Sequence, residues 1–353
     1  MDKNISKEIL PGIHQVDLSD TTIEQGVSSI HIFIIPGKDG VNDGRSLMID
    51  TGFKNDRCLE TLEAALRELH ISKDKLDIFL THRHHDHCGL AGTMSKEGAR
   101  LFMNPSEERH PYDCLAYRVS EESKAAQKKV LRSCGLTEEL TPEVWKTFMD
   151  ISDRVQHHGE WVLAIWGFPY TEIHDGDIFQ YGNYRFTAKA LKGHTYGQMG
   201  LMEWNKKLFF TADQIIHRIS PIVATTYPDE TLLQSFFDSL RFIKEQCSDW
   251  TIIPSHGEIL KDIPGDVDKT VFSYLNKTTN VRDLLKTKNE MTTHEIAEVI
   301  YQVTKIPENE AEFFTYKMLI TKTYSLLEYL YGLDFINRTE RDGIFYWSYK
   351  KPD

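Results

Sequence analysis

Thr81-His82-Arg83-His84-His85-Asp86-His87 places four histidines and an aspartate within seven residues. It follows Leu76-Asp77-Ile78-Phe79-Leu80, a short apolar run that reads as a buried strand, so the polar cluster begins where a strand ends. His82 and His84 are two apart, which on an extended segment turns both imidazoles to one side. Asp86 and His87 then follow at a turn into a helix, so four ligands can converge from one loop. Neutral imidazole and carboxylate suit zinc and also ferrous or manganous ions. In open α/β layers, ligand sites form where loops converge at the carboxyl ends of strands, the position this run occupies.

Working outward, Ile30-His31-Ile32-Phe33-Ile34-Ile35 and Ser46-Leu47-Met48-Ile49-Asp50 read as buried strands. Residues 55 to 69 carry Leu59, Leu62, Ala65, Leu66 and Leu69 at helical spacing. Residues 105 to about 168 change character, with the polar stretch from Glu121 to Lys129 and a helical pattern through Trp145, Phe148 and Met149; this predicts a helical insertion. Strand patterns return at residues 184–188, 198–202 and 207–211, then a helix near 229–245 and a strand at 250–253, a second half that mirrors the first. Beyond about 265 the chain reads helical. Thr292-Thr293-His294-Glu295 forms a capping box, a longer helix runs from Glu308 to Tyr331, and a strand pair turns at Asp342-Gly343. No internal repeat or low-complexity tract interrupts this order.

With 353 residues, 40% apolar and 27% charged, the chain has enough material for one large core and an extension. The segment from Met1 to Ser6 lacks the apolar stretch of a signal peptide, and no apolar run is long enough to span a bilayer, so a cytoplasmic protein with no membrane partner is expected. Five scattered cysteines, without a C-x-x-C pair, point to reduced thiols rather than a thiolate metal site. A net charge of −12 repels phosphate backbones and disfavours unspecific nucleic-acid binding.

Three later segments complete the pattern: Lys192-Gly193-His194-Thr195, Phe210-Thr211-Ala212-Asp213-Gln214 and Pro254-Ser255-His256-Gly257. With them, residues 10 to 260 resemble the metallo-β-lactamase-fold hydrolase superfamily, of glyoxalase II, lactonase or β-lactamase-like protein 2 type. The resemblance implies an α/β fold, a four-layer αββα sandwich over residues 1–265 with the insertion at 105–168. It implies two divalent ions, zinc first, with iron or manganese also compatible. His82, His84 and His194 would hold one, Asp86, His87 and His256 the other, and Asp213 would bridge them. Asp50 matches an aspartate that orients a ligand histidine by hydrogen bonding. In two-metal sites a shared water has a lowered pKa, so the nucleophile would be a metal-bridging hydroxide, with Asp86 and Asp213 as the catalytic carboxylates. Ala212 stands where many members have glycine, and Tyr196 where proline or serine is common. His85 and Arg83 read as spacers.

The insertion holds Trp145, Trp161, Trp166, Phe168 and Tyr170, which either roof the metal cleft or form ordinary core. Tyr196, His217 and Arg218 follow ligand segments closely enough to reach a substrate, whereas the pair His157-His158 matches no ligand segment. The region 266–353 resembles the winged-helix-like tail of some members, where it accompanies nuclease activity. Yet from residue 276 onward 11 Lys and Arg face 12 Asp and Glu, and the recognition-type helix offers Lys317 and Lys322 against Glu310, Glu312 and Glu328. Its apolar stripe through Phe313, Leu319, Ile320, Leu327 and Leu330 suits core or a homodimer contact. The leading expectation is hydrolysis of a carboxylic ester, thioester or lactone of a small molecule. Phosphodiester cleavage in RNA or a nucleotide is the alternative, and a di-iron redox or sensor protein a third reading.

Overall fold

The computed structural model describes residues 5–21, 28–108, 120–158, 164–225, 228–303 and 305–351. In chain order the strands are β1 (Ser6–Leu10), β2 (Ile13–Ser19), β3 (Ser29–Ile35), β4 (Ser46–Ile49), β5 (Leu76–Phe79), β6 (Arg100–Met103), β7 (Thr171–Glu172), β8 (Ile178–Tyr181), β9 (Tyr184–Ala190), β10 (Met199–Glu203), β11 (Leu208–Ala212), β12 (Thr251–Pro254), β13 (Met291–Thr292), β14 (Ile336–Arg341) and β15 (Ile344–Tyr349). The helices are α1 (Asp56–Glu68), α2 (His85–Cys88), α3 (Ala91–Lys96), α4 (Glu121–Ser133), α5 (Pro142–His158), α6 (Leu232–Gln246), α7 (Ile263–Thr287), α8 (Thr293–Tyr301) and α9 (Glu310–Gly332).

Strands β1 to β7 form one sheet in sequential order, antiparallel up to β4 and parallel from β4 to β7. A second sheet runs β12-β11-β10-β9-β8, with β11 and β12 parallel. Alternation along β3 sets the layers. Phe33 and Ile35 point between the sheets and meet Phe186, Leu201 and Phe210, while Ile32 and Ile34 point outward onto Leu62 and Leu66 of α1. The outer face of the second sheet, through Phe209 and Ile252, packs on Phe236 and Leu240 of α6. Helix, sheet, sheet and helix therefore lie in four layers, as the resemblance implies.

The capping box at Thr292 and Glu295 starts α8 as read, and Asn55 caps α1 by accepting from Cys58 N. The hairpin β14–β15 turns through Asp342 (φ 50°) and Gly343 (φ 75°), the positive pair that a two-residue hairpin requires. Strands β1, β2 and β8 have no counterpart in the sequence reading. In β1 and β2 the apolar positions are interrupted by charged residues such as Lys7, Glu8 and Asp17, whereas β8 carries no charge and is only four residues long, with Ile178 and Gln180 on its exposed side.

The insertion and the tail pack on each other. Phe148 of α5 lies 4.6 Å from Phe313 and 5.5 Å from Tyr316 of α9, centroid to centroid. Burying a ring of this size contributes about 1.5–3 kcal/mol. Phe313, Ile320, Leu327 and Leu330 lie in the same core cluster as α6. Four residues of the α9 stripe, Phe313, Ile320, Leu327 and Leu330, are thus buried within the chain. Of the insertion aromatics, Phe168 and Tyr170 join the core around α1 and α3 and Trp145 packs against the core cluster that α6 and α9 share; Trp161 and the side chains of His157 and His158 lie outside the described residues. No described helix is long and apolar enough to cross a membrane.

Candidate metal centre

Every sequence-predicted donor emerges at the carboxyl end of a strand: Asp50 after β4, His82 to His87 after β5, His194 after β9, Asp213 after β11 and His256 after β12. The close approach is built locally. Gly193 (φ 150°) admits the His194 turn against α6, where a Cβ would lie 2.4 Å from the Phe236 Cα. Asp50 takes φ 63° and Ala212 φ 48°, both in the left-handed region, so the chain turns sharply at two of these strand ends. For Ala212 this accounts for the glycine expected there.

His84 Nδ1 lies 2.9 Å from both His82 Nε2 and His194 Nε2, so three ring nitrogens face one point. A second set forms around Asp86 Oδ2, 3.6 Å from His87 Nε2 and 3.4 Å from His256 Nε2. Asp213 stands between the sets: Oδ1 is 3.5 Å from His87 Nε2 and 3.3 Å from His256 Nε2, and Oδ2 is 3.6 Å from His194 Nε2. The far ring nitrogens are fixed from behind. His87 Nδ1 bonds Asp50 Oδ2 at 2.7 Å, His194 Nδ1 donates to Ile222 O at 2.7 Å, and His256 Nδ1 donates to Ser29 O at 2.6 Å. Each bond selects the tautomer that leaves the inward nitrogen as a lone-pair donor. Asp50 also accepts from Thr81 N and Oγ1, which locks the strand end that carries His82.

Whether these residues fit metal is tested by their inward atoms. His87 Nε2, His256 Nε2 and Asp213 Oδ1 are buried and without hydrogen-bond partners. Leaving a buried polar atom unpaired costs about 1–3 kcal/mol, so three in one cluster call for a ligand between them. Three groups of donors, His82/His84/His194, His82/His87/Asp213 and Asp86/His87/His256, each lie within 4.8 Å of one another. The donor set fits a pair of divalent cations.

Electrostatics divide the cluster in the same way. Burial, reinforced by the neighbouring rings, holds His82 well below the usual imidazole range and pushes His84 down to about 3, so the first set is neutral. In the second, burial opposes charge on His256, but Asp213 and Asp86 overcome it and push the pKa up to about 10. His87 is likewise raised against burial by Asp50, Asp86 and Asp213. Those protons balance carboxylate charge where a cation would, and cation binding would release them.

Two residues that the sequence reading missed tie the loops together. Glu107 accepts from Arg83 N (2.8 Å), Thr195 Oγ1 (2.5 Å) and Gly197 N (2.7 Å), joining the first ligand loop to the His194 loop. Arg83, read as a spacer, is instead a buried clamp: it pairs with Glu108 at 2.6 Å, donates to Ile165 O and stacks 4.4 Å from the Trp166 ring centroid. No local spacing signals either role, because the partners lie far apart in sequence. Tyr196 hydrogen-bonds Thr225, and His217 Nδ1 lies 3.0 Å from both Asp266 oxygens; neither is among the converging donors. Cys88 is buried and directs its thiol to His82 O.

Residues 39–256, which contain all seven donors, match the family model described as the Metallo-beta-lactamase superfamily. No curated protein matches the chain. A metallo-beta-lactamase family protein from Thermus thermophilus superposes with a TM-score of 0.74 at 18% identity, covering 97% of this chain and 100% of that one. A beta-lactamase domain protein from Burkholderia ambifaria gives 0.76 at 16% identity over 98% and 94%. A stereoselective inverting sec-alkylsulfatase from Pseudomonas sp. gives 0.51 at 16% identity, with 94% of this chain on 50% of that one. At these identities the likeness concerns the fold, and in the first two it extends through the insertion and the tail.

Proposed function

This chain belongs to the metallo-beta-lactamase superfamily and is a metal-dependent hydrolase, and we propose that its substrate is a carboxylic ester, thioester or lactone of a small molecule. The observation that carries the two-metal reading is Asp213, whose two oxygens face separate donor sets while Oδ1 stays buried and unpaired. His82, His84 and His194 would hold one ion, Asp86, His87 and His256 the other, with Asp213 between. Two divalent ions there, zinc by preference and iron or manganese as alternatives, would supply Lewis acidity and lower the pKa of a shared water.

The chain's own residues prepare the site. Asp50 orients His87, the Ile222 and Ser29 carbonyls orient His194 and His256, and Glu107 keeps the two ligand loops in register. Asp86 and Asp213, the proposed catalytic carboxylates, stay ionised: burial disfavours their charge, and the adjacent His87 outweighs it. Arg83 ties the end of the insertion to the first ligand loop through Ile165 O and the Trp166 ring. Nitrogen and oxygen donors without thiolate, in an acidic protein, suit a small carbonyl substrate better than a polyanion. A cytoplasmic location belongs to the same proposal, as does a division into a catalytic unit at 1–265 and a tail at 266–353.

The second reading is phosphodiester cleavage. Helices α8 and α9 followed by the hairpin β14–β15, with β13 joining β15, favour a winged-helix-like tail. Against it, α9, the helix that would enter a groove, buries ten of its residues in the protein. A panel of thioesters, lactones, β-lactams, phosphodiesters and short RNAs, offered to zinc-, manganese- and iron-loaded protein, separates the readings. Turnover of a thioester or lactone supports the proposal; cleavage confined to RNA or phosphodiesters overturns it.

A further inference from the structure

In the apolar run of β3, His31 is the one titratable side chain. It lies on the same side of the strand as Phe33 and Ile35, the side that faces the second sheet. Phe33 pairs with Ile49 of β4, so His31, two residues closer to the start of β3, sits at the edge where β4 leads into Asp50. From there His31 Nε2 donates to Gly257 O at 2.9 Å, the carbonyl of the residue after the predicted ligand His256. The other side of the ring is held by β2. Asp17, directly opposite His31, places Oδ1 2.7 Å from Nδ1, and Gln15 Nε2 donates to the same oxygen at 2.6 Å.

We propose that His31 is a positioning residue for His256: by holding Gly257 it fixes the direction in which His256 presents Nε2 to the second ion.

Three observations support it. The start of β3 grips residues 255 to 257 one after another: His31 N donates to Ser255 O at 2.8 Å, Ser29 O accepts from His256 Nδ1 at 2.6 Å, and the His31 side chain takes Gly257 O. Second, Gly257 stands at φ 74°, where glycine moves freely, and a Cβ built on it would meet only Ile216, at 3.8 Å. Neither crowding nor a stiff backbone holds that peptide, which leaves the imidazole bond to do so. Third, the tolerance at His256 is small. Its Nε2 is buried without a partner, 3.3 Å from Asp213 Oδ1 and 3.4 Å from Asp86 Oδ2, and metal–ligand distances tolerate only about 0.2 Å. A slight swing of the segment would therefore take the ligand away. Asp17 is 72% exposed, so its pair with His31 adds little to stability, and the contact serves orientation more than folding.

This role rests on the two-ion reading above, and the experiment lets the two fail separately. His31→Leu keeps bulk and removes the donor. It is introduced into two full-length backgrounds, His84→Ala, which leaves the second donor set intact, and His256→Ala, which leaves the first. Zinc affinity in each is read by competition with a chromophoric chelator. In the His84→Ala background His31→Leu is expected to weaken zinc about tenfold, the lower end of what losing a partner behind a metal ligand costs. In the His256→Ala background the change should stay below about twofold, as for a site that does not share the contact. His31→Gln, which restores an N–H donor, should recover most of the loss. Equal weakening in both backgrounds, the mark of a purely structural role, would overturn the proposal, as would no change in either.

In parallel, hydrogen–deuterium exchange of metal-free wild-type and His31→Leu protein reads the positioning without zinc. Amides of residues 252–260 should exchange about three- to tenfold faster in the variant, as loss of one hydrogen bond allows, with residues 192–197 unchanged. Unchanged exchange at 252–260 overturns the proposal. If neither background protein binds zinc, the two-ion reading fails, and exchange alone decides whether His31 fixes the His256 segment.

Discussion

Strand β5 has a buried ionic cluster at each end. At its start, Asp77 is bonded by Arg45 Nε at 2.7 Å, Arg100 Nε at 2.6 Å and the Tyr181 hydroxyl at 2.6 Å, so both carboxylate oxygens are satisfied. Just past its end, His82 opens a cluster in which three polar atoms are buried without partners. Charge at the first end is neutralised by the protein, and at the second it is left for a ligand. The first cluster stabilises the fold across strands β4, β5, β6 and β8. The second stores unsatisfied bonding capacity at the carboxyl edge of the sheet, where α/β folds place their sites. What separates the two ends is convergence: at the second, three unpaired donor atoms of His87, His256 and Asp213 gather in one cluster.

Substitutions at the two ends should separate activity from stability. The largest effect is expected at the carboxyl end: Asp86→Asn or His194→Ala should lower kcat/KM by about a hundred- to a thousandfold or more, the scale of losing a preorganised electrostatic group. Circular dichroism and Tm should change little. Full activity in both variants would remove the hydrolytic assignment. At the other end, Asp77→Ala leaves two arginines without their carboxylate and should cost about 3–5 kcal/mol in denaturant unfolding, with metal binding retained in the folded fraction. Loss of metal without loss of stability would erase the contrast.

Two smaller effects sharpen it. Asp50→Asn withdraws a charged acceptor from His87 Nδ1 and should weaken metal affinity about ten- to hundredfold, read by competition with a chromophoric chelator. The Asp77 contribution should also depend on pH. Burial pushes its carboxyl up, but Arg100, Tyr181 and Arg45 outweigh burial and hold it below the unfolded value of 3.8. Its stabilisation is therefore present above that pH and lost as pH falls through the lower folded value. The stability gap between wild type and Asp77→Asn should shrink on acidification below about pH 4; a gap that widens there would reverse the sign. The smallest change is Ala212→Gly, which relieves the left-handed backbone at φ 48° but loosens the unfolded chain, for a net gain under about 1 kcal/mol.

The candidate donors that the fold brings together were legible because metal-ligand patterns are written locally. His82, His84, Asp86 and His87 share one loop, and His194, Asp213 and His256 each close an apolar run. The layer order was legible only through the resemblance carried by the ligand motifs; the sequence itself showed β3 as an apolar run and α1 at helical spacing, and which face of β3 meets which layer became visible in the packing. What stayed hidden depends on contacts between distant segments. Glu107 bonds to residues 24 and about 90 positions away, and Arg83 is buried only because the insertion folds back over it. His31 read only as part of a buried strand. Its hold on Gly257 exists only once the two sheets are packed together.

The proposal that His82, His84 and His194 would hold one divalent ion and Asp86, His87 and His256 a second, with Asp213 between, is tested most directly by counting metal. Full-length protein dialysed against zinc and analysed by inductively coupled plasma mass spectrometry should carry two ions per chain. His256→Ala should retain one, at His82, His84 and His194. A wild-type content of one or none, or two ions undiminished in His256→Ala, would contradict the account.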